Sequence, residues 1–154
     1  MIETALIVVH VLAAATWVGG TIALVFVAVP VVRQLEGPAR AATLAGLGRR
    51  WRPLGWGALA VLVATGAGLA AERGAFARTD ATFDAVFAVK LALVAALGVV
   101  ACLHDFVLGP GLSRQIREGR PQTLRRRLVV VGWTSFALTL AVPILGVTLA
   151  ELAG

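Results

Sequence analysis

Charged side chains are scarce in this sequence. They make up 14% of its 154 residues, whereas a soluble domain carries roughly 25%. Four apolar runs reach the length of about 20 residues that a bilayer span needs, and the connections between them are short. The sequence therefore predicts an all-α integral membrane protein, a single domain over residues 1–154 with four transmembrane helices in an antiparallel bundle. The runs are roughly Thr4–Val32, Leu54–Ala71, Phe83–Leu108 and Leu128–Ala150.

Sulfur-containing residues are nearly absent too, with one cysteine and one methionine. Cys102 cannot form an internal disulfide, and we expect it to act as a small core hydrophobe. Soft copper(I) sites prefer thiolate and thioether ligands, so this shortage counts against a copper site built on sulfur. The chain also has no basic stretch and no small-residue cleavage site around its first run, so we expect that run to be a retained helix.

The basic residues are unevenly distributed. The connections after the first and third runs carry eleven arginines against three carboxylates, whereas the middle connection carries two arginines against three carboxylates: Arg73 and Arg78 against Glu72, Asp80 and Asp84. This is the pattern of cytoplasmic and external loops. It places both termini outside a prokaryotic inner membrane. The net charge of +6 is thus an orientation signal and a contact for anionic lipid, and no nucleic-acid role is expected.

The first cytoplasmic connection contains a short amphipathic stretch. Pro38 suits the first turn of a helix, and residues 38–50 predict a helix lying on the membrane surface; the alternative is an ordinary solvated connection. Trp51 and Trp56 are typical of an interfacial aromatic belt. No internal repeat with a fixed period is visible along the chain.

Three ionisable residues fall inside the predicted spans, where they are costly and usually functional. His10 and Lys90 each lie about seven residues into a span that enters from outside, so both belong to the outer half at a similar depth. His104 follows Lys90 by 14 residues, about 21 Å along a regular helix. His10 and His104 therefore cannot ligate one haem within a subunit and are two separate features.

The helix faces suggest roles for these residues. His10, Ala14, Trp17 and Thr21 share one stripe, whose small residues and flat ring leave room for a planar ligand. His10 either ligates a metal or bonds a neighbouring helix, and Trp17 is either a packing residue or the floor of a porphyrin pocket. Lys90 either faces the same cavity or snorkels to the outer water. His104 and Asp105 are predicted to form an interfacial pair.

Three stretches carry a family resemblance: "HVLAAATWVGG" in the first span, "GRRWRPLGWGALAVLVATG" entering the second and "FAVKLALVAAL" in the third. They resemble the copper-resistance D (CopD-like) membrane domain and the related HemJ-type protoporphyrinogen oxidases, small four-helix haem proteins. The resemblance covers about the first two-thirds of the chain. It implies a haem-binding role for His10 and an essential role for Lys90, and it does not extend to His104.

The leading hypothesis is a membrane protein that binds haem b or a porphyrin for redox chemistry, as a haem-dependent oxidoreductase would. His10 would be an axial ligand, Trp17 and Lys90 would complete the cofactor pocket, and Lys90 would be the catalytic charge partner or proton donor. The alternative is copper transport or handling, with His10 and His104 as metal ligands. A third hypothesis is an accessory subunit of a membrane complex. The bilayer is the expected partner. A second copy of the chain and a membrane redox partner are two further candidates, between which the sequence does not decide.

The charge distribution makes the topology testable. After replacement of Cys102, single cysteines introduced near Arg40 and Arg78 would be probed in intact cells with a membrane-impermeant thiol reagent. We expect labelling near Arg78 but not near Arg40, because the arginine-rich loops are cytoplasmic. Labelling near Arg40 but not near Arg78 would overturn this topology.

Overall fold

A computed structural model describes residues 1–75 and 80–153, and over these residues the protein is helical without any strand. The fold class predicted from the sequence is confirmed: four helices are long and apolar enough to cross a membrane. The predicted external loop around Arg78 falls partly on residues 76–79, outside the described residues. The helices are α1 (Ile2–Arg33), α2 (Gly37–Glu72), α3 (Ala81–Arg117) and α4 (Arg125–Ala153).

The expected surface helix over residues 38–50 is not a separate element. It forms the first turns of α2, which runs for 36 residues through Pro53 without interruption. Pro53 lies at the junction of the amphipathic and apolar stretches but does not end the helix, and Pro38 occupies the first turn as predicted. A helix of this length measures about 54 Å, against a hydrocarbon core of about 30 Å. Its N-terminal part must therefore project beyond the membrane or tilt strongly within it.

Helix α3 is also longer than expected. The sequence predicted a connection starting at Gly109, but the helix continues to Arg117 and ends before Gly119, whose positive φ of 62° suits glycine. The extra turns pack against the N-terminal part of α2, where Ala41 is fully buried together with Leu112 and Ser113. We call this side of the bundle the arginine-rich end, because most arginines lie there.

Two wide π-helical segments interrupt the α-helical geometry of α1 and α3, at Leu24–Ala28 and at Leu103–Leu108. Each is followed two residues later by a proline, Pro30 or Pro110. A proline lacks the N–H that would bond the preceding turn, and its ring clashes with the carbonyl four residues earlier. A locally wider turn relieves that clash, so the two prolines account for the placement of both segments.

The four helices form two hairpins, because α1 pairs mainly with α2 and α3 mainly with α4. The hairpins use equivalent positions separated by 80 residues. In each hairpin an ionisable side chain of the first helix contacts a glycine of the second: His10 lies against Gly66, and Lys90 lies against Gly146. The pairs Trp17 and Leu97, and Pro30 and Pro110, have the same separation. The two halves therefore repeat one arrangement that is not apparent in the residue types alone.

The hairpins meet around a small apolar core. Its centre contains Trp17 of α1, Ala58 and Leu59 of α2, and Leu97 and Ala101 of α3. Many other large apolar side chains are exposed, as expected of a surface that faces lipid.

The Trp51 ring packs between two helices. Its ring packs against Gly20 of α1 and Gly55 of α2, and its centroid is 6.3 Å from that of Trp17. A Cβ at Gly20 would overlap the Trp51 ring, whereas a Cβ at Gly19 would meet no other atom within 4 Å. The close approach of α1 and α2 thus depends on the absence of a side chain at Gly20.

This packing predicts a difference between two neighbouring substitutions. Gly20→Ala should destabilise the protein by about 1–3 kcal/mol, since overpacking forces a rigid indole to move. Gly19→Ala, the matched control with the same gain in helix propensity, should leave the melting temperature in detergent unchanged or slightly higher. Equal melting temperatures for the two variants would contradict the inference that the Trp51 ring fills the space beside Gly20.

Candidate functional site

The His10 side chain is half-buried and bonded to helix α2. Its Nδ1 lies 2.7 Å from Thr65 Oγ1, and the Thr65 hydroxyl lies 2.6 Å from the carbonyl of Val61 in its own helix. Because the single hydroxyl proton points to that carbonyl, Thr65 Oγ1 accepts a hydrogen bond from the N–H at His10 Nδ1. This assigns the proton of the neutral ring to Nδ1 and leaves the lone pair of Nε2 available to a ligand.

The ring of His10 also lies close to the backbone of α2. A Cβ at Gly66 would be 3.4 Å from His10 Cε1, and a Cβ at Gly68 would be 3.2 Å from Leu6. The small residues of α2 therefore bring the helices together, as small residues commonly do in membranes. The face that was expected to leave room for a planar ligand is used for this packing.

Lys90 is half-buried on α3, and its ammonium end lies against α4. A Cβ at Gly146 would be 3.4 Å from Lys90 Nζ. Lys90 belongs to none of the ion pairs within the described ranges, which are Arg73–Glu3, His104–Asp105 and Arg120–Glu118. Lys90 therefore contacts the second helix of its own hairpin, as His10 does in the other hairpin.

Trp17 is 5% exposed and lies in the centre of the core. Its indole N–H donates to Thr139 of α4 at 3.1 Å, and Thr139 itself is only 1% exposed. This bond satisfies two polar groups that hydrocarbon would leave unpaired. It also links the first hairpin to the second. This contact agrees with the interpretation of Trp17 as a packing residue.

His104 belongs to a second polar cluster, inside the π-helical segment of α3. Its Nδ1 lies 2.9 Å from Asp105 Oδ1, and Asp105 Oδ2 accepts from the indole N–H of Trp56 at 3.2 Å. This confirms the contact predicted for His104 and Asp105. A Cβ at Gly132 would be 3.6 Å from His104 Nε2, so the other ring nitrogen is turned toward α4.

Arg52 of α2 completes this cluster. Its guanidinium donates to the backbone carbonyl of Asp105 and lies 5.1 Å above the ring of Phe106. A widened turn alters the carbonyl hydrogen bonds of its helix, and a guanidinium supplies a replacement donor. Arg52 and Trp56 therefore attach α2 to the irregular part of α3 and hold Asp105 beside His104.

The two histidines do not form one site. His10 is near the start of α1, whereas His104 is at the arginine-rich end, and the buried core of Trp17 and Leu97 lies between the two levels. Cys102 is exposed and bonded to neither cluster. Within residues 1–75 and 80–153, no three side chains of histidine, cysteine, aspartate or glutamate converge as a complete metal site would require.

Several residues of these clusters were not singled out from the sequence. Thr65 is part of the second stretch that carries the family resemblance, and Arg52 is one of the arginines of the first connection. The available signal was that each is a polar side chain at the edge of, or inside, an apolar helix, where polar groups need internal partners. The sequence did not show which partner each would find.

Fold and sites together define a four-helix membrane protein with two separate histidine clusters. The chain belongs to the copper resistance protein D family, whose model matches residues 45–149, about two-thirds of its length. No curated protein and no solved structure matches it. The match supports a multi-pass membrane protein with a copper-related role. It includes Lys90 and His104 but begins after α1, so His10 lies outside it.

The assignment of the His10 ring proton can be tested directly, because the chain has just two histidines. In protein labelled with ¹⁵N-histidine, we expect His10 to be protonated at Nδ1 and not at Nε2. Thr65→Val removes the acceptor and should shift the His10 signals while leaving those of His104 in place. Thr134→Val is the matched control, since that hydroxyl donates to the carbonyl of Val130 in its own helix. Protonation of His10 at Nε2 in the wild type would contradict the assignment.

Proposed function

We propose that this protein handles copper ions in the membrane and that His10 and His104 are the ligands of two separate copper positions. The supporting observation is a feature that the two imidazoles share. In each, Nδ1 is engaged by a neighbouring oxygen, from Thr65 for His10 and from Asp105 for His104. Metal-binding histidines are usually held in this way, with the second nitrogen left for the metal. Imidazole is a suitable copper ligand, so the shortage of sulfur does not exclude the ion.

The two positions should differ in strength. A carboxylate partner raises the basicity of a ligating imidazole more than a hydroxyl does, so we expect His104 to bind copper more tightly than His10. A weak position near one end and a stronger one near the other would suit an ion that is taken up and passed on rather than stored. The copper ion would then move from His10 to His104, toward the arginine-rich end. That this movement is inward rests on the predicted topology.

The haem hypothesis has less support. The family match refers to copper, and the helix face of His10 is closed by packing: Ala13 and Trp17 are buried, and Gly66 lies against the ring. These residues do not fit a porphyrin, so we derive no redox step through haem. A catalytic or proton-donating role of Lys90, inferred from the resemblance to HemJ-type proteins, stays a prediction of the sequence.

Copper binding is tested with the detergent-purified protein. Copper(I) would be titrated against a chromophoric chelator, and we expect two ions to bind the wild type. His10→Ala and His104→Ala should each lose one ion, and the double variant should lose both, because the clusters are separate. Thr134→Val serves as a control for substitution within an apolar helix. Each variant would be checked for monodispersity, so that loss of binding is not confused with loss of the fold.

Two outcomes would reject this proposal. The first is a wild type that binds no copper, or binds it unchanged without both histidines. The second is a Soret band in protein expressed with haem supplied, lost in His10→Ala but not in His104→Ala, which would favour haem despite the packing around His10.

A further inference from the structure

A groove of about 520 Å³ runs between α3 and α4 at the arginine-rich end. This volume is within the range of roughly 300–1,000 Å³ that is typical of small-molecule sites. The groove is apolar except for one arginine, and its lining residues are Leu103, Val107, Leu108, Leu124, Val130, Val131 and Arg127.

The groove has a polar end and an apolar end. Arg127 lies in the first turn of α4, whereas Val130 and Val131 lie one turn further into the apolar part of that helix. On the opposite wall, Leu103 and Val107 belong to the π-helical segment of α3, and both are exposed. The groove therefore opens to the lipid along its side, and the basic first turn of α4 lies at its mouth.

The charge at this mouth is not neutralised by the protein. Arg127 is exposed and is adjacent to Arg125 and Arg126, and none of the three takes part in an ion pair within the described part of the chain. All 13 basic residues other than Lys90 are arginines. A guanidinium can bind two phosphate oxygens at once, which an ammonium does not do.

We propose that this groove binds one anionic phospholipid, with an acyl chain along its apolar wall and the headgroup phosphate at Arg127. Each part of such a ligand would lie against side chains of matching chemistry. The acyl chain would contact the leucines and valines, and the phosphate would bind the Arg127 guanidinium where α4 leaves the apolar region. Basic grooves between membrane helices are known to bind anionic headgroups in this way. The bound lipid would pack against the segment that carries His104 and so support that cluster, independently of whether copper binds there.

A helix from a second copy fits this groove less well. Its exposed walls consist of branched side chains such as Leu103, Val107 and Val130, whereas helices approach closely in membranes over small residues. The second copy is therefore an outcome that the experiment must distinguish, and not the proposed occupant.

The experiment measures lipid binding to delipidated protein by native mass spectrometry. Phosphatidylglycerol and phosphatidylcholine with identical acyl chains would be titrated separately, and the first phosphatidylglycerol should bind more tightly. Arg127→Gln should weaken that first binding about fivefold, which corresponds to about 1 kcal/mol per basic residue, with a smaller effect on phosphatidylcholine. Arg120→Gln is the matched control, since it removes the same charge from a residue paired with Glu118.

A second pair of variants tests the apolar wall. Val130→Trp should fill the groove and weaken the first binding of both lipids, whereas Val147→Trp adds the same side chain at an exposed position of α4 outside the groove and should have no effect. Equal losses for Arg127→Gln and Arg120→Gln, or unchanged binding in Val130→Trp, would overturn the proposal. So would a wild-type dimer that Val130→Trp converts to a monomer, since the occupant would then be a second copy.

Discussion

Hydrocarbon supplies no hydrogen bonds, so each polar group within this bundle must find its partner in the protein. Three of the hydrogen bonds that connect different helices in the described structure follow from this constraint. His10 bonds to Thr65, Trp17 bonds to Thr139, and Asp105 receives Trp56. Each contact needs helices that approach closely, which glycines such as Gly20 and Gly66 permit. The packing and the candidate sites are therefore two consequences of one requirement.

The repeated hairpin explains why the polar residues occur where they do. Equivalent positions 80 residues apart place one ionisable group against a glycine in each half, but the first group is an imidazole and the second an ammonium. One backbone arrangement thus presents an imidazole in one hairpin and an amine in the other. The arrangement is asymmetric in its chemistry although it is repeated in its geometry.

The family match and the structure favour the copper hypothesis over the haem hypothesis for different reasons. The match to the copper resistance protein D family covers α2 to α4 and therefore includes the cluster around His104. The structure adds that Nδ1 of each histidine has an oxygen partner, and that the face of His10 is occupied by helix packing rather than by space for a porphyrin. Among the residues that the structure describes, no three histidine, cysteine, aspartate or glutamate side chains converge at either histidine.

The sequence by itself determined the membrane class and the number of spans. These features depend on composition and on the length of the apolar runs, which are local properties. It also indicated that His104 and Asp105 form a pair, because they are adjacent in the chain. It did not show that the predicted surface helix is continuous with α2, that the Trp51 ring packs between α1 and α2, or that the two halves repeat. These three features depend on the contacts that each helix makes with its neighbours. The partners of His10 and Asp105 are 55 and 49 residues away along the chain. Only tertiary structure decides such contacts, because helical periodicity defines which face a residue occupies but not which helix that face meets.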